Sequence, residues 1–100
     1  MTLGEYLIYS ARTGDLDAIK ECIDEECPVD HKDGESGNAA IHMASANGHL
    51  NAVKLLIELG ADINILNNAQ NSALHWASLN GKLPIVKLIC EMKVEHKREI

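Results

Sequence analysis

The sequence predicts an all-α solenoid of about three helix-turn-helix repeats joined by short hairpin loops. Residues 40–48 read AIHMASANG, and 33 residues later positions 73–81 read ALHWASLNG. A weaker copy without the histidine, YLIYSARTG, occupies residues 6–14 at an offset of 34. A second apolar stretch follows each copy, at residues 16–23, 50–57 and 83–90. Three copies at one period are typical of a repeat protein, in which each unit buries its apolar face against its neighbours.

The repeated segment itself predicts the first helix of each unit. It carries small residues at matched positions, among them Ala44 and Ala77, which let helices of adjacent units pack closely. We predict these helices at residues 4–12, 40–47 and 73–80.

The apolar stretch after each glycine predicts the second helix. Leu50, Val53 and Ile57 follow the spacing of one apolar helical face. Pro84 suits a first helical turn, where its missing N–H costs nothing. We predict these helices at residues 16–25, 50–59 and 83–92.

Turn-forming residues separate the helices and the units. Gly60 follows an apolar run and is expected to end its helix in the left-handed conformation. The pairs Asp33-Gly34 and Asn67-Asn68 are expected to take the unusual backbone angles of tight turns. Residues 1–100 are therefore interpreted as a single domain, with the first unit as an N-terminal cap and units at about 5–36, 37–69 and 70–100.

Composition excludes several function classes. The chain is 46% hydrophobic and 24% charged, with a net charge of −6 that argues against binding nucleic acid or anionic membranes directly. Residues 1–50 carry ten acids and three bases, whereas residues 51–100 carry five acids and six bases. Six of those acids lie within residues 15–26, where a polar cap places them whatever the partner is.

The compartment is predicted from what the sequence lacks. No apolar run reaches the roughly 18 residues of a membrane span, and no basic segment resembling a signal peptide starts the chain. The odd count of three cysteines fits a reducing compartment. We therefore expect the protein in the cytoplasm, the nucleus or both. We also expect it to be a monomer.

The repeated motif resembles the ankyrin-repeat family. That family's signature reads T-P-L-H-x-A-A-x-x-G-H, then an apolar helix and G-A-D-[IV]-N; residues 39–49 and 60–64 match it closely. Ala40 and Ala73 replace the proline of the signature, which predicts weaker helix starts. Residues 93–97 read KVEHK and depart from the hairpin pattern. Residues 91–100 predict a polar helical tail or the cut end of a longer chain, and we favour the cut.

The resemblance implies a protein-binding surface made of the first helices and the hairpin tips. Residues 12–17 (RTGDLD), 73–83 (ALHWASLNGKL) and 86–88 (VKL) resemble segments of a small fungal ankyrin protein that chaperones a basic ribosomal protein of the small subunit. A regulatory adaptor or scaffold fragment that binds a signalling or transcription protein is the alternative. The predicted partner-binding residues are Arg12, Thr13, Asp33, Glu35, Ser36, Asn38, Ala46, Asn47, Asn68, Ala69, Asn71, Trp76, Leu79 and Asn80.

Other reactive side chains are given structural interpretations. The resemblance implies that His42 and His75 bond backbone between adjacent units, and Cys22 aligns with the core residues Leu56 and Ile89. No nucleophile–base pair, phosphate-binding loop or metal-ligand spacing occurs, so we expect no enzyme, metal or cofactor.

Two single residues keep two interpretations each. Asn64 resembles the hairpin asparagine that asparaginyl hydroxylases modify in ankyrin proteins, and it equally suits an asparagine that satisfies its own turn. Trp76 is the sole tryptophan and suits either an interface anchor or a cover over the gap between two alanine-lined helices.

Overall fold

Within residues 1–98, six helices in three antiparallel pairs make up the fold, which confirms the predicted all-α solenoid. The computed structural model describes the backbone of residues 1–98 and the side chains of residues 1–93. The helices are α1 (Leu3–Thr13), α2 (Leu16–Asp24), α3 (Ala40–Ala46), α4 (Leu50–Glu58), α5 (Ala73–Leu79) and α6 (Leu83–Arg98). The first five begin and end within one residue of their predicted bounds. None of the helices in the described part of the chain has the length and apolarity to cross a membrane.

The core runs along the stack between an inner and an outer layer of helices. The inner helices pack directly side by side, α1 on α3 and α3 on α5. Alanines of these helices, such as Ala44 and Ala77, have no exposed surface, so the inner helices approach each other closely. The outer helices contribute large aliphatic side chains, of which Leu56 and Ile89 are fully buried.

Left-handed residues end the helices in a repeated way. Gly60 has φ +99°, and the N–H of Ala61 behind it donates to the carbonyl of Leu56 at 2.9 Å, which confirms the predicted cap. The first unit places Glu26 at the position of Gly60, with φ +65° and the same bond from Cys27 to Cys22. A β-carbon is disfavoured in this conformation, so Glu26 is a strained version of the same cap.

The two hairpin loops differ from the prediction. The residues with positive φ are Gly37 and Gln70, and not the predicted Asp33-Gly34 and Asn67-Asn68 pairs. The first loop is closed by Asp33 N–H donating to Asn38 O at 2.9 Å, and the second by Asn67 N–H donating to Asn71 O at 3.0 Å. The first loop is one residue longer than the second. Asp33 and Asn67, where the loops begin, are therefore 34 residues apart, whereas Asn38 and Asn71, where the loops end, are 33 apart. Asp33 and Asn67 shape the turns with their side chains instead.

The last helix is longer than predicted. α6 runs from Leu83 to Arg98, with Pro84 in its first turn, whereas the sequence predicted its end at residue 92. The stretch 93–97 is therefore helical, as the polar-tail interpretation of this segment predicted, and forms no third hairpin.

Candidate partner-binding site

A cavity of about 740 Å³ opens on the side of the stack where the inner helices meet the hairpin loops, and we call this side the concave face. The cavity lies beside α1 and α3 and under the first hairpin loop. Apolar atoms of Ile8, Tyr9 and Met43 line it. The charged residues around it are Glu5, Arg12, Lys32, Asp33 and Glu35. The cavity is open to solvent and combines an apolar floor with charges of both signs.

One side chain from each unit forms an apolar strip along this face. Tyr9, Met43 and Trp76 occupy the same position of α1, α3 and α5, and we call these three residues the concave strip. Tyr9 is 52% exposed, whereas Met43 and Trp76 are half-buried. The ring of Trp76 meets that of His75 edge to face, with centroids 6.2 Å apart. The strip therefore offers aromatic and thioether surface at one position per repeat.

Polar residues four positions later hold the end of each inner helix. The Thr13 hydroxyl donates to Tyr9 O at 3.2 Å. In the same way Asn47 Nδ2 donates to Met43 O and Asn80 Nδ2 to Trp76 O, both at 2.8 Å. Thr13, Asn47 and Asn80 were predicted as partner contacts; each is exposed, and its side-chain donor bonds its own helix.

The remaining predicted residues of the inner helices are Arg12, Ala46 and Leu79. They occupy one matched position, one turn beyond the concave strip. Arg12 is exposed and Leu79 is 67% exposed, which is unusual for a leucine. These two side chains are therefore available to a partner at either end of the face.

The predicted hairpin residues Asp33 and Ser36 are bonded to each other. Asp33 Oδ1 accepts from the N–H groups of Glu35 and Ser36, at 2.6 and 3.2 Å, and Oδ2 accepts from the Ser36 hydroxyl at 3.0 Å. These bonds lower the pKa of Asp33. Because the Asp33 carboxylate is engaged in the turn, Glu35 is the freer acid of this hairpin.

The asparagines of the hairpins link one hairpin to the next. Asn68 Nδ2 donates to Glu35 O at 3.1 Å, and its N–H donates to Ser36 O at 2.9 Å. Asn67 Nδ2 donates to Asn38 Oδ1 at 2.8 Å. Asn67 is buried, and the sequence had indicated it only as a turn residue. Of the predicted contacts on the second hairpin, Ala69 is exposed and Asn71 is half-buried.

His42 confirms its structural interpretation, whereas His75 departs from it. The buried Nε2–H of His42 lies 3.0 Å from both Ile65 O and Asn71 O, and Nδ1 accepts from Ala39 N–H at 2.9 Å. Burial lowers the pKa of His42, so the ring is neutral at pH 7. The side chain of His75 is exposed instead, and the interpretation of His75 as a bond between units is wrong for the described residues.

The cysteines separate into two buried thiols and one exposed thiol. Cys22 and Cys27 are buried, and Cys90 is exposed. Burial raises the pKa of Cys22, with smaller contributions from Cys27 and Glu21, and it raises the pKa of Cys27 as well. Both buried thiols are therefore protonated at neutral pH, as expected of core cysteines. Within the described residues no group of three or more histidine, cysteine or acidic side chains is placed to hold a metal ion.

Comparison with protein families decides the identity of the stack. A family model described as "Ankyrin repeats (3 copies)" matches residues 7–99. The chain belongs to the ankyrin-repeat family. Ankyrin repeats are protein–protein interaction modules, and this chain carries three of them.

Individual relatives cover part of this ankyrin chain. It is 42% identical over 56 residues to the ankyrin repeat-containing protein YAR1 of Saccharomyces cerevisiae, covering 52% of this chain and 28% of that protein. It is 44% identical over 52 residues to the ankyrin repeat-containing protein P16F5.05c of Schizosaccharomyces pombe, covering 51% and 35%. The human BCL-6 corepressor is 41% identical over 63 residues, covering 61% and 4%. The chain therefore spans about a third or less of the length of each of these relatives.

Proposed function

We propose that the chain binds a protein partner across its concave face and has no catalytic activity or cofactor of its own. The observation that supports this most is the cavity of about 740 Å³ beside α1 and α3, whose floor carries Tyr9 and Met43. Tyrosine, methionine and arginine are among the residues enriched at protein–protein interfaces. Arg12 and Leu79 extend the exposed contact area toward the two ends of the face.

A basic segment of a ribosomal protein is the partner that we propose, with the chain acting as its chaperone in the cytoplasm or nucleus. The resemblance to the fungal ankyrin chaperone supports this proposal, as does the similarity to YAR1. Glu5 and Glu35 supply negative charge at the cavity. The larger acidic cluster on α2 lies on the outer layer and contributes less to the argument, since a cap would carry it in any case.

A regulatory adaptor that binds a partner without basic charge is the second candidate. The inner helices α3 and α5, with sequences AIHMASA and ALHWASL, contain no lysine, arginine, aspartate or glutamate. A partner seated mainly on this uncharged part of the face gains little from positive charge. The two candidates therefore differ in how strongly binding depends on salt.

Affinity capture from cell lysate at low and high salt distinguishes the two candidates. The chaperone proposal expects one basic ribosomal protein, lost as salt rises and lost with Glu35→Lys. Glu58→Lys is the matched control, because Glu58 is an exposed acid on the outer helix α4. Salt-insensitive capture of a neutral or acidic protein would support the adaptor and contradict the chaperone. Equal capture by the wild type and by Tyr9→Ala would contradict the concave site.

A further inference from the structure

The concave strip presents its three side chains at a regular interval. Tyr9, Met43 and Trp76 come from helices that pack directly on one another, α1 on α3 and α3 on α5. Packed helices lie about 8–10 Å apart. A segment that crosses the face therefore meets one strip residue about every 9 Å along its length.

Only one extended backbone repeats its side chains at that interval. In a β-strand one face recurs every second residue, at about 6.7 Å and then about 13 Å, and neither distance matches. A polyproline II helix has three residues per turn and rises about 3.1 Å per residue, so one face recurs about every 9.3 Å. An α-helix reaches about 10.5 Å after seven residues but places further side chains on the same face at three- and four-residue intervals.

We propose that the concave strip binds a polyproline II segment of the partner protein, with an apolar side chain at every third residue. This inference rests on the proposed function and specifies the partner's conformation. Aromatic side chains suit the role, because grooves that bind such segments are lined by aromatic rings. The segment is already extended when free, so it loses little conformational freedom on binding.

Charge on the face sets which way the segment lies. The negative side chains at the cavity are beside α1, at Glu5 and Glu35, whereas the sequences of α3 and α5 carry none. Glu35 has an exposed side chain, while the neighbouring Asp33 carboxylate is bonded within the turn. A cationic residue of the segment therefore lies beside the first unit, past the strip residue Tyr9. Arg12 and Lys32 line the same cavity, but the three acids Glu5, Asp33 and Glu35 outnumber these two bases, so a cation is favoured over an anion there.

Trp76 supplies a polar group that fits such a ligand. Its Nε1–H is buried and has no hydrogen-bond partner among the described residues. An unpaired buried donor costs free energy, which a change of side-chain orientation toward an acceptor recovers. The carbonyl groups of a polyproline II segment form no internal hydrogen bonds and are free to accept. Trp76 is the only tryptophan of the chain, so its fluorescence reports this change directly.

A pair of synthetic peptides tests the spacing. One has leucine at every third position among prolines and ends in two arginines; the other has the same composition with its leucines at alternate positions. We expect the period-three peptide to shift Trp76 fluorescence and to bind about tenfold tighter or more. Equal binding, tighter binding of the alternate peptide, or a helical circular dichroism spectrum for the bound peptide would overturn the proposal.

Variants of the full chain locate the peptide. Tyr9→Ala is expected to weaken binding of the period-three peptide about tenfold at an unchanged melting temperature. Met43→Ala is expected to weaken it similarly, with some loss of melting temperature because Met43 is half-buried. Tyr6→Ala is the matched control, because Tyr6 is an exposed tyrosine of α1 that does not line the cavity. Loss of binding in Tyr6→Ala but not in Tyr9→Ala would overturn the assignment.

We expect Glu35→Lys to weaken binding of the arginine-ended peptide and to leave binding of an alanine-ended version unchanged; stronger binding of an aspartate-ended version would reverse the orientation.

The two experiments distinguish failure of the polyproline II proposal from failure of the proposed function. If capture of the lysate partner requires Tyr9 but neither peptide binds, the concave site stands and the polyproline II proposal is wrong. If capture of the partner is independent of Tyr9 and Trp76, the proposed function itself is wrong at this face.

Discussion

The middle unit and the third unit carry the same motif in different surroundings. His42 is fully buried and reaches the backbone of the next hairpin, whereas His75, 33 residues later, is exposed. Ser45 is fully buried and its counterpart Ser78 is exposed. The motif alone therefore does not determine what its residues do. Its histidine and serine are buried in the middle unit, which a further unit follows, and exposed in the third unit.

Truncating the two histidines should give the largest difference between the units. We expect His42→Ala to lower the free energy of unfolding by about 3 kcal/mol, because it leaves a cavity and unpaired backbone groups. His75→Ala should change it by less than about 0.5 kcal/mol, since an exposed side chain is removed. Urea denaturation of both variants measures this. Equal losses would contradict the contrast between the units.

Acid should weaken the fold through His42 in particular. The pKa of His42 is lowered by burial, so below the unfolded value of about 6.5 the unfolded chain takes up a proton that the folded chain excludes. The free energy of unfolding is therefore highest above that pH and falls as the pH falls toward the lowered folded pKa. The loss due to Asp33 comes at lower pH, since hydrogen bonds from Glu35 and Ser36 hold its pKa below that of an ordinary aspartate. Denaturation between pH 7.5 and 5 should show the slope in the wild type and in His75→Ala. A flat profile would contradict a neutral His42.

The helix caps of the first and middle units differ by one residue. Replacing Glu26 with glycine should raise the free energy of unfolding by about 1 kcal/mol, because φ +65° is strained for glutamate. Gly60→Ala should lower it by a similar amount, and the added methyl group meets no atom within 4 Å, so only the backbone opposes it. Thermal melts of the two variants should move in opposite directions. A fall in both would show that Glu26 makes a contact worth more than its strain.

The smallest expected effect concerns the two serines. Ser45 Oγ is buried without a hydrogen-bond partner among the described residues. Ser45→Ala should therefore stabilise the fold, by about 1 kcal/mol or less, since it removes an unpaired buried hydroxyl. Ser78→Ala should have no measurable effect, because Ser78 is exposed. If Ser45→Ala destabilises the chain instead, the hydroxyl has a partner such as a buried water.

Much of the fold could be predicted because one physical pattern is repeated three times. The apolar spacing, the glycine caps and the small residues of the inner helices each agree with the same helix pairs. The left-handed conformation of Gln70 could not be predicted, because glutamine has no preference for it and the surrounding loop imposes it. The end of α6 was predicted too early, at residue 92. Residues 93–97 carry no stop signal such as glycine or proline, so the helix continues through them, as the polar-tail alternative allowed.

The candidate site was harder to predict than the fold. Positions on the inner helices and hairpins could be predicted from the repeat. The role of each side chain could not be predicted, because it depends on hydrogen-bond partners that are distant in the sequence. Asn68 and Asn38 bond the neighbouring hairpin, while Glu35 beside them keeps a free carboxylate.

Hydrogen exchange on the complex with the captured partner tests the central claim most directly. Binding across the concave face predicts slowed exchange in the inner helices α1, α3 and α5 and in the hairpin loops, with α2 and α4 unchanged. Slowed exchange confined to α2 and α4, on the outer layer, would contradict the account.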